Sequence, residues 1–447
     1  MMFYENMWSL VGAILLTTSG HLLNDASATD VSLSLLVKHP PLTVATEVAS
    51  PDSQSAWVAE QAVQNMILTM RKSGYADTAQ GVWIQSSSGV LFASRQANKP
   101  LPAASLTKIA TTLAALSTWG ANHKFTTTIS TTGKLVGDTL QGDLVIQGGG
   151  DPLFVWEEAI ELGNALNRMG IKRVKGDLVI TDQFYMNFET DRKLTGNLLK
   201  RSLNAANWTD EVVAQYQTMP SGTLTPQVSI DGKVRSSPDL NTQANARTTV
   251  LVRHSSLPLW QILKRMNTFS NNEMAEMLTA SVGGVNTVRQ KAIEIAGVSP
   301  LEIRLINGSG LGQQNQISPR AITAMLIALQ NLAQTQNLSI VDLMPTGGCN
   351  CGTIENRSIP FGAVVKTGTL SDVSTLAGVL PTRDRGLIWF SIVNRGTGDV
   401  SVFHQAQDRL LRMLLDKWGK SSTTRSIYGF SPQPWQDLDR NEIFGKQ

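Results

Sequence analysis

The chain has mixed helix and strand patterns at both of its ends and a strand-rich block in its middle. Near the start, QAVQNMILTMRKSG has helical apolar spacing, and GVWIQSSSGVLFAS is typical of two strands joined by a turn. After Pro360 come three β-rich runs and the amphipathic stretch VFHQAQDRLLRMLLDKWG. Strand patterns dominate between Trp119 and Pro258. We therefore predict an α/β (α+β) fold in which both ends of the chain form one domain, with a strand-rich domain inserted into it.

Length and charge are typical of a globular protein and give no support to nucleic-acid binding. The 447 residues suffice for two or three domains, and 42% hydrophobic against 16% charged residues indicate a chain that forms a core. The formal net charge is only +3, and no block of lysine and arginine stands out. Because nucleic-acid binding depends on concentrated positive charge, we predict no nucleic-acid partner.

The first 28 residues have some features of a signal peptide. The apolar run Met7–Leu16 is short for a membrane span, and Ala26–Ala28 forms the A-x-A pattern that signal peptidase cuts. Glu5 and the lack of lysine and arginine in the first six residues argue against export and leave a buried N-terminal helix as the alternative. No later segment reaches the ~18 apolar residues that a membrane span needs. We predict an exported protein without a membrane span after removal of residues 1–28.

The two cysteines, Cys349 and Cys351, lie in the run GGCNCGT. Two thiols cannot form a structural zinc site without further ligands, and no histidine cluster lies near them, so we predict no metal site and no cofactor. A disulfide between positions i and i+2 is expected to be strained. We interpret the pair as two loop thiols without a catalytic part, with a reactive pair as the alternative.

A serine and a lysine stand three residues apart in the helix-like run LPAASLTKIATTLAAL. The leucines and the isoleucine of this run recur at steps of three and four and predict one apolar helix face, with Pro102 as a start signal. Ser105 and Lys108 fall outside that face, so their side chains can lie about 5–6 Å apart on another face. A serine hydroxyl is a poor nucleophile until a base removes its proton. We interpret Ser105 as a nucleophile and Lys108 as its base, against the alternative of a chance spacing.

A second triplet, Ser270–Asn272, is a polar break between two apolar helical stretches. The hydroxyl of Ser270 can relay a proton, and the amide of Asn272 can hold Lys108 and the backbone of a substrate. The alternative is that Ser270 only caps a helix.

A third triplet, Lys366-Thr367-Gly368, lies in a strand-like run. Lys366 and Thr367 can bind a carboxylate by charge and hydrogen bond, and Gly368 lets a peptide lie against the strand edge. A positive charge on Lys366, together with burial and the helix N-terminus, is expected to lower the pKa of Lys108. The alternative is that Lys366 is a solvated strand lysine.

The order Ser-x-x-Lys, Ser-x-Asn, Lys-Thr-Gly resembles the signature of penicillin-binding proteins and serine β-lactamases. In such a site, the backbone N–H groups of Ser105 and Thr369 are expected to stabilise an oxyanion, because one flanks the nucleophile and the other follows the glycine. A histidine-based hydrolase is disfavoured, because no Ser–His–Asp arrangement can be assigned to the five histidines, His21, His39, His123, His254 and His404.

The blocks around these triplets resemble the penicillin-binding protein 4 family, the class C D-alanyl-D-alanine carboxypeptidases and endopeptidases. The similar blocks, in order between about Gly81 and about Leu411, are PAASLTK, GDLVIQGGGDPLF, GDLVITDQF, FSNNEMAEML, NGSGLGQQNQISP and VVKTGTLSDVSTLAG. The resemblance implies a penicillin-binding transpeptidase-like domain with an insertion after the Ser105 helix. Together with the sequence pattern, it places this domain at 29–118 and 259–420 and the inserted strand-rich domain at 119–258, and the pattern alone predicts a loose tail at 421–447. It also implies an exported protein, periplasmic or cell-wall associated, that trims cell-wall peptides and is acylated by penicillin.

From the motifs and the resemblance, we predict a serine D-alanyl-D-alanine carboxypeptidase or endopeptidase that acts on peptidoglycan stem peptides through an acyl-enzyme on Ser105. Its expected partners are peptidoglycan peptides and, as covalent inhibitors, β-lactam antibiotics. The choice between carboxypeptidase and endopeptidase stays open. Two alternatives remain: a serine β-lactamase, for which we can assign no glutamate or tyrosine as the deacylation base, and a cell-wall-binding protein without turnover.

The predicted insertion contains one further candidate, Asp210, in the run NWTD. This W-x-D pattern resembles a block of the family's inserted domain, whose aspartate is thought to face the diaminopimelate side chain of the substrate. The resemblance implies a contact between the Asp210 carboxylate and an ammonium group. The alternative is a loop aspartate that caps the helix-like run EVVAQY. The spacing from Ser105 to Ser270 is shorter than usual in the family, so we expect one of its extra domains to be missing or vestigial.

Overall fold

The structure is a computed structural model, and it describes residues 42–45, 47–50, 53–236, 248–421 and 440–444. The predicted signal peptide, 1–28, lies outside the described residues, as do His21 and His39. Within the described ranges the chain forms ten α-helices: α1 (Gln54–Lys72), α2 (Thr107–Trp119), α3 (Trp156–Arg168), α4 (Arg192–Ser202), α5 (Asp210–Tyr216), α6 (Leu259–Phe269), α7 (Asn272–Ser281), α8 (Val285–Ala296), α9 (Pro319–Gln334) and α10 (Val400–Trp418). Among these described helices, none combines the length and the apolar character that crossing a bilayer requires.

The same ranges contain nineteen β-strands, several of them only two residues long. They are β1 (Glu47–Val48), β2 (Gln80–Ser86), β3 (Val90–Arg95), β4 (Leu101–Pro102), β5 (Thr126–Thr131), β6 (Leu135–Val136), β7 (Thr139–Leu140), β8 (Leu144–Gly149), β9 (Arg173–Val174), β10 (Leu178–Gln183), β11 (Ser229–Ile230), β12 (Val234–Ser236), β13 (Thr249–Ser255), β14 (Ile303–Arg304), β15 (Gln316–Ile317), β16 (Val364–Leu370), β17 (Val373–Thr382), β18 (Gly386–Arg395) and β19 (Asn441–Ile443). The predicted α/β (α+β) fold class is confirmed.

The described residues divide into two compact units. The smaller unit contains the described residues of Phe125–Ser256 together with 440–444, and the larger unit contains the described residues of 42–124 and 257–421. The domain assignment made from the sequence, with its insertion at 119–258, stays a prediction.

The larger unit is built on a six-stranded sheet in the order β1-β3-β2-β18-β17-β16. The strands from β3 to β16 pair antiparallel, and β16 lies at one edge. Apolar residues of α1 and α10 pack on one face in a buried cluster that includes Ile84, Phe390 and Phe403. α9 covers the other face, where the Ser391 hydroxyl donates to the Pro319 carbonyl over 2.7 Å. Neighbouring residues of β18 thus point to opposite faces, as the strand period of two requires.

α2 is the most enclosed helix near the site, because its residues 107–116 are all buried. Helices α8 and α9 pack against it. The helix begins at Thr107 and not near Pro102, so this part of the prediction is wrong. Pro102 lies in β4, where it pairs with Gln316. β4 is an edge strand of the sheet β14-β15-β4, which is a position that tolerates proline.

The smaller unit contains a six-stranded sheet in the order β12-β10-β8-β5-β13-β19 and a four-stranded sheet in the order β11-β9-β7-β6. Strands β8, β10 and β12 are parallel to one another. Because parallel neighbours need a crossover, α3 lies between β8 and β10 in the chain, and α4 lies between β10 and β12. A second buried cluster, which includes Ile146, Leu166 and Ile180, joins this sheet to α3.

The C-terminal segment differs from the prediction of a tail at 421–447. Asn441–Ile443 form β19, which pairs antiparallel with β13. Arg440 forms an ion pair with the buried Glu158, and the Asn441 side-chain oxygen lies 3.0 Å from Nδ1 of His254. The prediction of a tail is wrong for 440–444, because this short segment pairs with a strand that is distant in the chain.

Candidate active site

Ser105 lies in a 3-10 turn directly before α2. The turn has an unusual backbone, because Ala104 has a φ of +47° although it is not glycine. The Thr375 hydroxyl donates to the carbonyl of Ala103 over 3.1 Å, which fixes the start of the turn. A Cβ at Gly310 would lie 1.9 Å from the Ala104 carbonyl oxygen, so position 310 requires glycine. Tertiary contacts therefore hold the turn that carries Ser105.

Lys108 lies one helical turn after Ser105, and three oxygen atoms surround its Nζ. Nζ donates to the side-chain oxygen of Asn272 over 2.7 Å and to the backbone carbonyl of Ser309 over 2.8 Å. Its third partner is Ser105 Oγ, at 3.1 Å. A neutral amine has two N–H donors and one lone pair. If Asn272 and Ser309 accept the two hydrogens, the lone pair is directed at the Ser105 hydroxyl. This arrangement of partners would allow neutral Lys108 to act as a base on the Ser105 hydroxyl.

The charge of Lys108 is controlled by its burial. The side chain is fully buried, and the loss of hydration lowers the pKa of Lys108 to about 7. The carboxylates of Glu276 and Glu273 act in the opposite direction, because they favour the charged form. A substantial fraction of this lysine is therefore neutral near pH 7.

The second triplet forms the junction between α6 and α7. Ser270 ends α6 with a left-handed backbone, φ +54°, and Asn271 begins α7 as its N-cap by accepting a hydrogen bond from the Met274 N–H over 2.8 Å. Ser270 does occupy the C-cap position of α6, as the alternative prediction has it. Its hydroxyl, however, accepts a hydrogen bond from Lys366 Nζ over 2.9 Å. The break between the helices thus directs two polar side chains, Ser270 and Asn272, at the two buried lysines.

Lys366 lies in the edge strand β16 with its side chain fully buried. Besides Ser270, its Nζ donates to the carbonyl of Thr367 over 2.7 Å. Burial, followed by the nearby charge of Lys108, lowers the pKa of Lys366 well below its usual range. The alternative prediction of a solvated strand lysine is wrong, because the side chain of Lys366 is fully buried.

The end of β16 passes directly against the Ser105 turn. A Cβ at Gly368 would lie 2.4 Å from Thr375 Oγ1 and 2.8 Å from the backbone nitrogen of Ser105, so only glycine fits there. Thr369, the next residue, is exposed. Thr367 is buried, and its Oγ1 lies 2.6 Å from Thr353 Oγ1. The third triplet therefore meets the first, as the motifs predict.

The loop 307–310 is a part of the site that the sequence analysis did not assign. The carbonyl of Ser309 accepts from Lys108, and the two carboxylate oxygens of Glu276 accept from the N–H groups of Ser309, over 2.8 Å, and Gly308, over 3.2 Å. The signal was present in the sequence, because NGSGLGQQNQISP is one of the blocks that resemble the family. Every residue has a backbone carbonyl, however, so residue type does not indicate that Ser309 accepts a hydrogen bond from Lys108.

Cys349 and Cys351 form a disulfide, so the interpretation as two loop thiols is wrong. The two Cα atoms are 5.2 Å apart, which lies within the usual range for disulfides. Asn350, between them, has a φ of +45°, and this left-handed turn brings the two side chains to the same side. With ordinary extended or helical backbone at position 350, an i, i+2 disulfide would be strained, and the left-handed conformation of Asn350 avoids this.

Asp210 lies in the smaller unit and is exposed. It is the first residue of α5, Thr209 occupies the N-cap position, and within the described helix no side-chain cap hydrogen bond is formed. The alternative prediction, that Asp210 caps EVVAQY, is therefore wrong. The negative charge in the first turn is favourable to the helix dipole but leaves the carboxylate accessible.

Comparison with known proteins assigns the family. Residues 72–193 and 189–416 match the D-Ala-D-Ala carboxypeptidase 3 (S13) family. The chain belongs to this family. Carboxypeptidase DacB of Mycolicibacterium smegmatis is 23% identical over 367 aligned positions, which cover 72% of this chain and 75% of that protein.

Two solved structures are similar in fold. Penicillin-binding protein 4 (dacB) from Haemophilus influenzae has a TM-score of 0.61 at 18% identity, with 80% of this chain and 100% of that chain covered. The penicillin G-acylated predatory endopeptidase from Bdellovibrio bacteriovorus, in complex with an immunity protein, has a TM-score of 0.64 at 20% identity, with 76% and 91% covered.

These comparisons confirm several predictions. The resemblance to the penicillin-binding protein 4 family is confirmed. S13 is a serine peptidase family, so the predicted enzyme class, a serine-type D-Ala-D-Ala peptidase that acts on peptidoglycan, is confirmed at the level of the family. The roles of individual site residues stay predictions.

Proposed function

We propose that Ser105 is the nucleophile of this peptidase and that neutral Lys108 is the base that activates it. The observation that carries the proposal is the 3.1 Å hydrogen bond between Lys108 Nζ and Ser105 Oγ in a buried setting. The Lys108 pKa of about 7 adds support, since a general base is most effective when its pKa is near the working pH.

The first half of the proposed reaction forms an acyl-enzyme. Lys108 removes the hydroxyl proton while Ser105 Oγ attacks the carbonyl carbon of the D-Ala–D-Ala bond. We expect the N–H groups of Ser105 and Thr369 to stabilise the oxyanion of the tetrahedral intermediate, and the close approach of Gly368 to the Ser105 nitrogen supports this pairing. When the intermediate collapses, the C–N bond breaks and the proton passes to the leaving amine. The products are an ester on Ser105 and free D-alanine.

The other motif residues are proposed to bind and orient the substrate. Lys366 and Thr367 take the terminal carboxylate, and the Ser270 hydroxyl, which accepts from Lys366, relays the proton to the leaving amine. Asn272 uses its oxygen for Lys108, which leaves its amide N–H groups to hold the substrate backbone. Accordingly, Lys366→Ala should weaken turnover mainly for substrates with a free terminal carboxylate.

The second half of the proposed reaction is hydrolysis. Water attacks the ester carbonyl, Lys108 accepts a proton from that water, and Ser105 is released. If the first leaving amine is D-alanine, the result is carboxypeptidase activity, and if it belongs to a neighbouring stem peptide, the result is endopeptidase activity. The similar proteins include both a carboxypeptidase and an endopeptidase, so we propose one chemistry for both outcomes.

Two further aspects complete the proposal. β-Lactams are proposed to acylate Ser105, with the penicillin G-acylated relative as support. Export to the periplasm or cell wall is proposed because peptidoglycan is an extracytoplasmic substrate. Mass determination of the N-terminus of the protein recovered from cells would test export, and an uncut N-terminus 1–28 would contradict the predicted cleavage.

Labelling with a fluorescent penicillin tests the nucleophile. The parent enzyme should be labelled covalently, and Ser105→Ala should lose all label while keeping the melting temperature of the parent within a few degrees. Ser117→Ala, a change of the same kind at the other end of α2, is the matched control and should label normally. Label on Ser105→Ala would overturn the assignment. Rapid turnover of nitrocefin by the parent would instead favour a β-lactamase, and absence of labelling would favour a binding protein without turnover.

A further inference from the structure

Thr353 is a polar residue beside the site that lies outside the three motifs. Its Oγ1 is 2.6 Å from Thr367 Oγ1, the hydroxyl that binds the substrate carboxylate in the proposed function. Among the residues that the structure describes, Thr353 is the one hydrogen-bond partner seen for the Thr367 hydroxyl. The direction of this one hydrogen bond therefore decides what the Thr367 hydroxyl can offer to a ligand.

A hydroxyl group carries one hydrogen, so one threonine donates in this contact and the other accepts. If Thr367 donated to Thr353, it would have no hydrogen left for a carboxylate. If Thr353 donates, the hydrogen of Thr367 stays available. The chemistry of carboxylate binding thus requires Thr353 to be the donor when substrate is bound.

The position of Thr353 depends on a short loop that is anchored at both ends. At the first end, the Gly347 N–H donates to the carbonyl of Ala363, next to β16, over 2.7 Å. At the second end, Ile354 is buried in the core of the larger unit. The Cys349–Cys351 disulfide lies between the two anchors and shortens the span that could move.

The same loop also packs against the end of α6. Gly352 has a φ of +55°, and a Cβ there would lie 2.1 Å from the carbonyl oxygen of Thr268, two residues before Ser270. The backbone of the loop therefore contacts α6, which ends at the Ser270–Asn272 motif. The Thr353 side chain contacts β16, which contains the Lys366-Thr367-Gly368 motif.

We propose that Thr353 is a positioning residue that orients the Thr367 hydroxyl toward the terminal carboxylate of the substrate, and that the Cys349–Cys351 disulfide holds its loop in place. This inference rests on the proposed role of Thr367 in carboxylate binding. It predicts that both the hydroxyl of Thr353 and the disulfide contribute to the preference for a free carboxylate.

The test compares two peptide substrates that end in D-Ala-D-Ala, one with a free terminal carboxylate and one with that carboxylate amidated. The measured quantity is the ratio of their kcat/KM values. Thr353→Val keeps the shape of threonine but removes the hydroxyl that orients Thr367, and it should reduce the ratio about two- to tenfold, as expected for the loss of one hydrogen bond between neutral groups. Thr353→Ser restores the donor and should restore the ratio. Thr69→Val, at a half-buried threonine of α1, is the matched control.

An unchanged ratio in Thr353→Val would overturn the inference. Failure of the proposed function looks different, because then the parent enzyme itself would show no preference for the free carboxylate, or Ser105→Ala would still be labelled by penicillin. A fall in the ratio that Thr353→Ser fails to restore would also count against orientation by the hydroxyl.

Reduction tests the contribution of the disulfide. Dithiothreitol breaks the S–S bond, two thiols form on the protein, and the reagent is oxidised to its cyclic disulfide. Once thiol titration shows two free thiols, the ratio of the parent enzyme should fall in the same direction as in Thr353→Val. The double variant Cys349→Ala/Cys351→Ala should already have the lower ratio and should not respond to the reagent. A parent ratio that persists after complete reduction would refute this part of the proposal.

Discussion

The two compact units differ in the kind of buried ionisable side chain whose pKa is strongly shifted by burial. In the larger unit, Lys108 and Lys366 are fully buried, and burial lowers the pKa of each. In the smaller unit, the buried groups are mainly acids, and burial raises the pKa of Asp151 to about 7 and that of Glu157 to about 8. His254 of the smaller unit is also buried, and burial lowers the pKa of its imidazole to about 3.

The comparison shows that a perturbed pKa alone does not identify an active site. The buried acids of the smaller unit contact groups that have no nucleophilic role: Asp151 accepts from the Leu153 N–H over 2.9 Å, and Glu157 accepts from the amide of Gln215. Lys108, in contrast, lies within hydrogen-bond reach of a serine hydroxyl. The short distance to a serine hydroxyl, and not the size of the pKa shift, distinguishes the two regions.

The first prediction compares a buried lysine of the larger unit with a buried acid of the smaller unit by the rate of acylation in variants of each. Lys108→Ala should reduce the rate of acylation by penicillin about 10²- to 10⁴-fold, because the proposed general base is lost. Lys108→Arg should do the same, since arginine keeps its proton. Glu157→Gln, in the smaller unit, should acylate at the parent rate. Stopped-flow labelling measures all three, and a parent-like rate in Lys108→Arg would show that lysine is not the base.

The second prediction tests whether an exposed acid of the smaller unit contributes to specificity. We propose that Asp210 pairs with the ammonium group of the third residue of the stem peptide. Asp210→Asn should then reduce the preference for a substrate with a free amine over one with that amine blocked, by roughly 1–3 kcal/mol. The ratio of kcat/KM for the two substrates is the measurement. An unchanged ratio would remove the specificity role and leave the catalytic proposal intact.

The third prediction concerns stability. The native-state pKa of Glu157, about 8, lies above its ordinary value of 4.5, so the folded protein holds a proton that the unfolded chain releases between these values. The corresponding stability is present below about pH 4.5 and is lost as the pH rises toward 8. Glu157→Gln cannot ionise and should flatten the slope of the unfolding free energy against pH by up to about 1.4 kcal/mol per pH unit.

Amide hydrogen exchange in α3 and β8, measured at several pH values, reports this slope for the smaller unit. Asp151 shifts in the same direction, so some slope should remain in Glu157→Gln. A slope equal to that of the parent would mean that Glu157 titrates normally in the folded protein.

The fourth prediction concerns the pH dependence of the acylation rate and the effect of Glu276 on it. The acylation rate should rise with pH through about 7 as Lys108 loses its proton. Glu276→Gln keeps one acceptor oxygen for the loop 307–310 but removes a charge that favours protonated Lys108, so the midpoint should move to lower pH by less than about one unit. Glu294→Gln, at an exposed position on α8, is the control. A midpoint that stays in place or moves to higher pH contradicts the electrostatic role of Glu276.

Features that depend on neighbouring residues could be predicted from residue types alone. Apolar periodicity predicted the helices α1, α2 and α10, and all three are present in the structure. Residue type and order predicted which side chains meet, and Ser105, Lys108 and Asn272 do come together in the structure. These features were accessible because hydrophobic spacing, caps and reactive side chains are written in residue types.

The contacts between segments that lie apart in the chain could be seen only in the three-dimensional structure. For example, the carbonyl of Ser309 accepts a hydrogen bond from Lys108, Thr353 contacts Thr367, and β19 pairs with β13. Residue type does not indicate that these segments meet. The Cys349–Cys351 disulfide is close in sequence, yet it depends on a left-handed turn between the two cysteines. Backbone atoms are the same in every residue, so their role in a site depends on where the fold carries them, and for that reason the sequence could not reveal it.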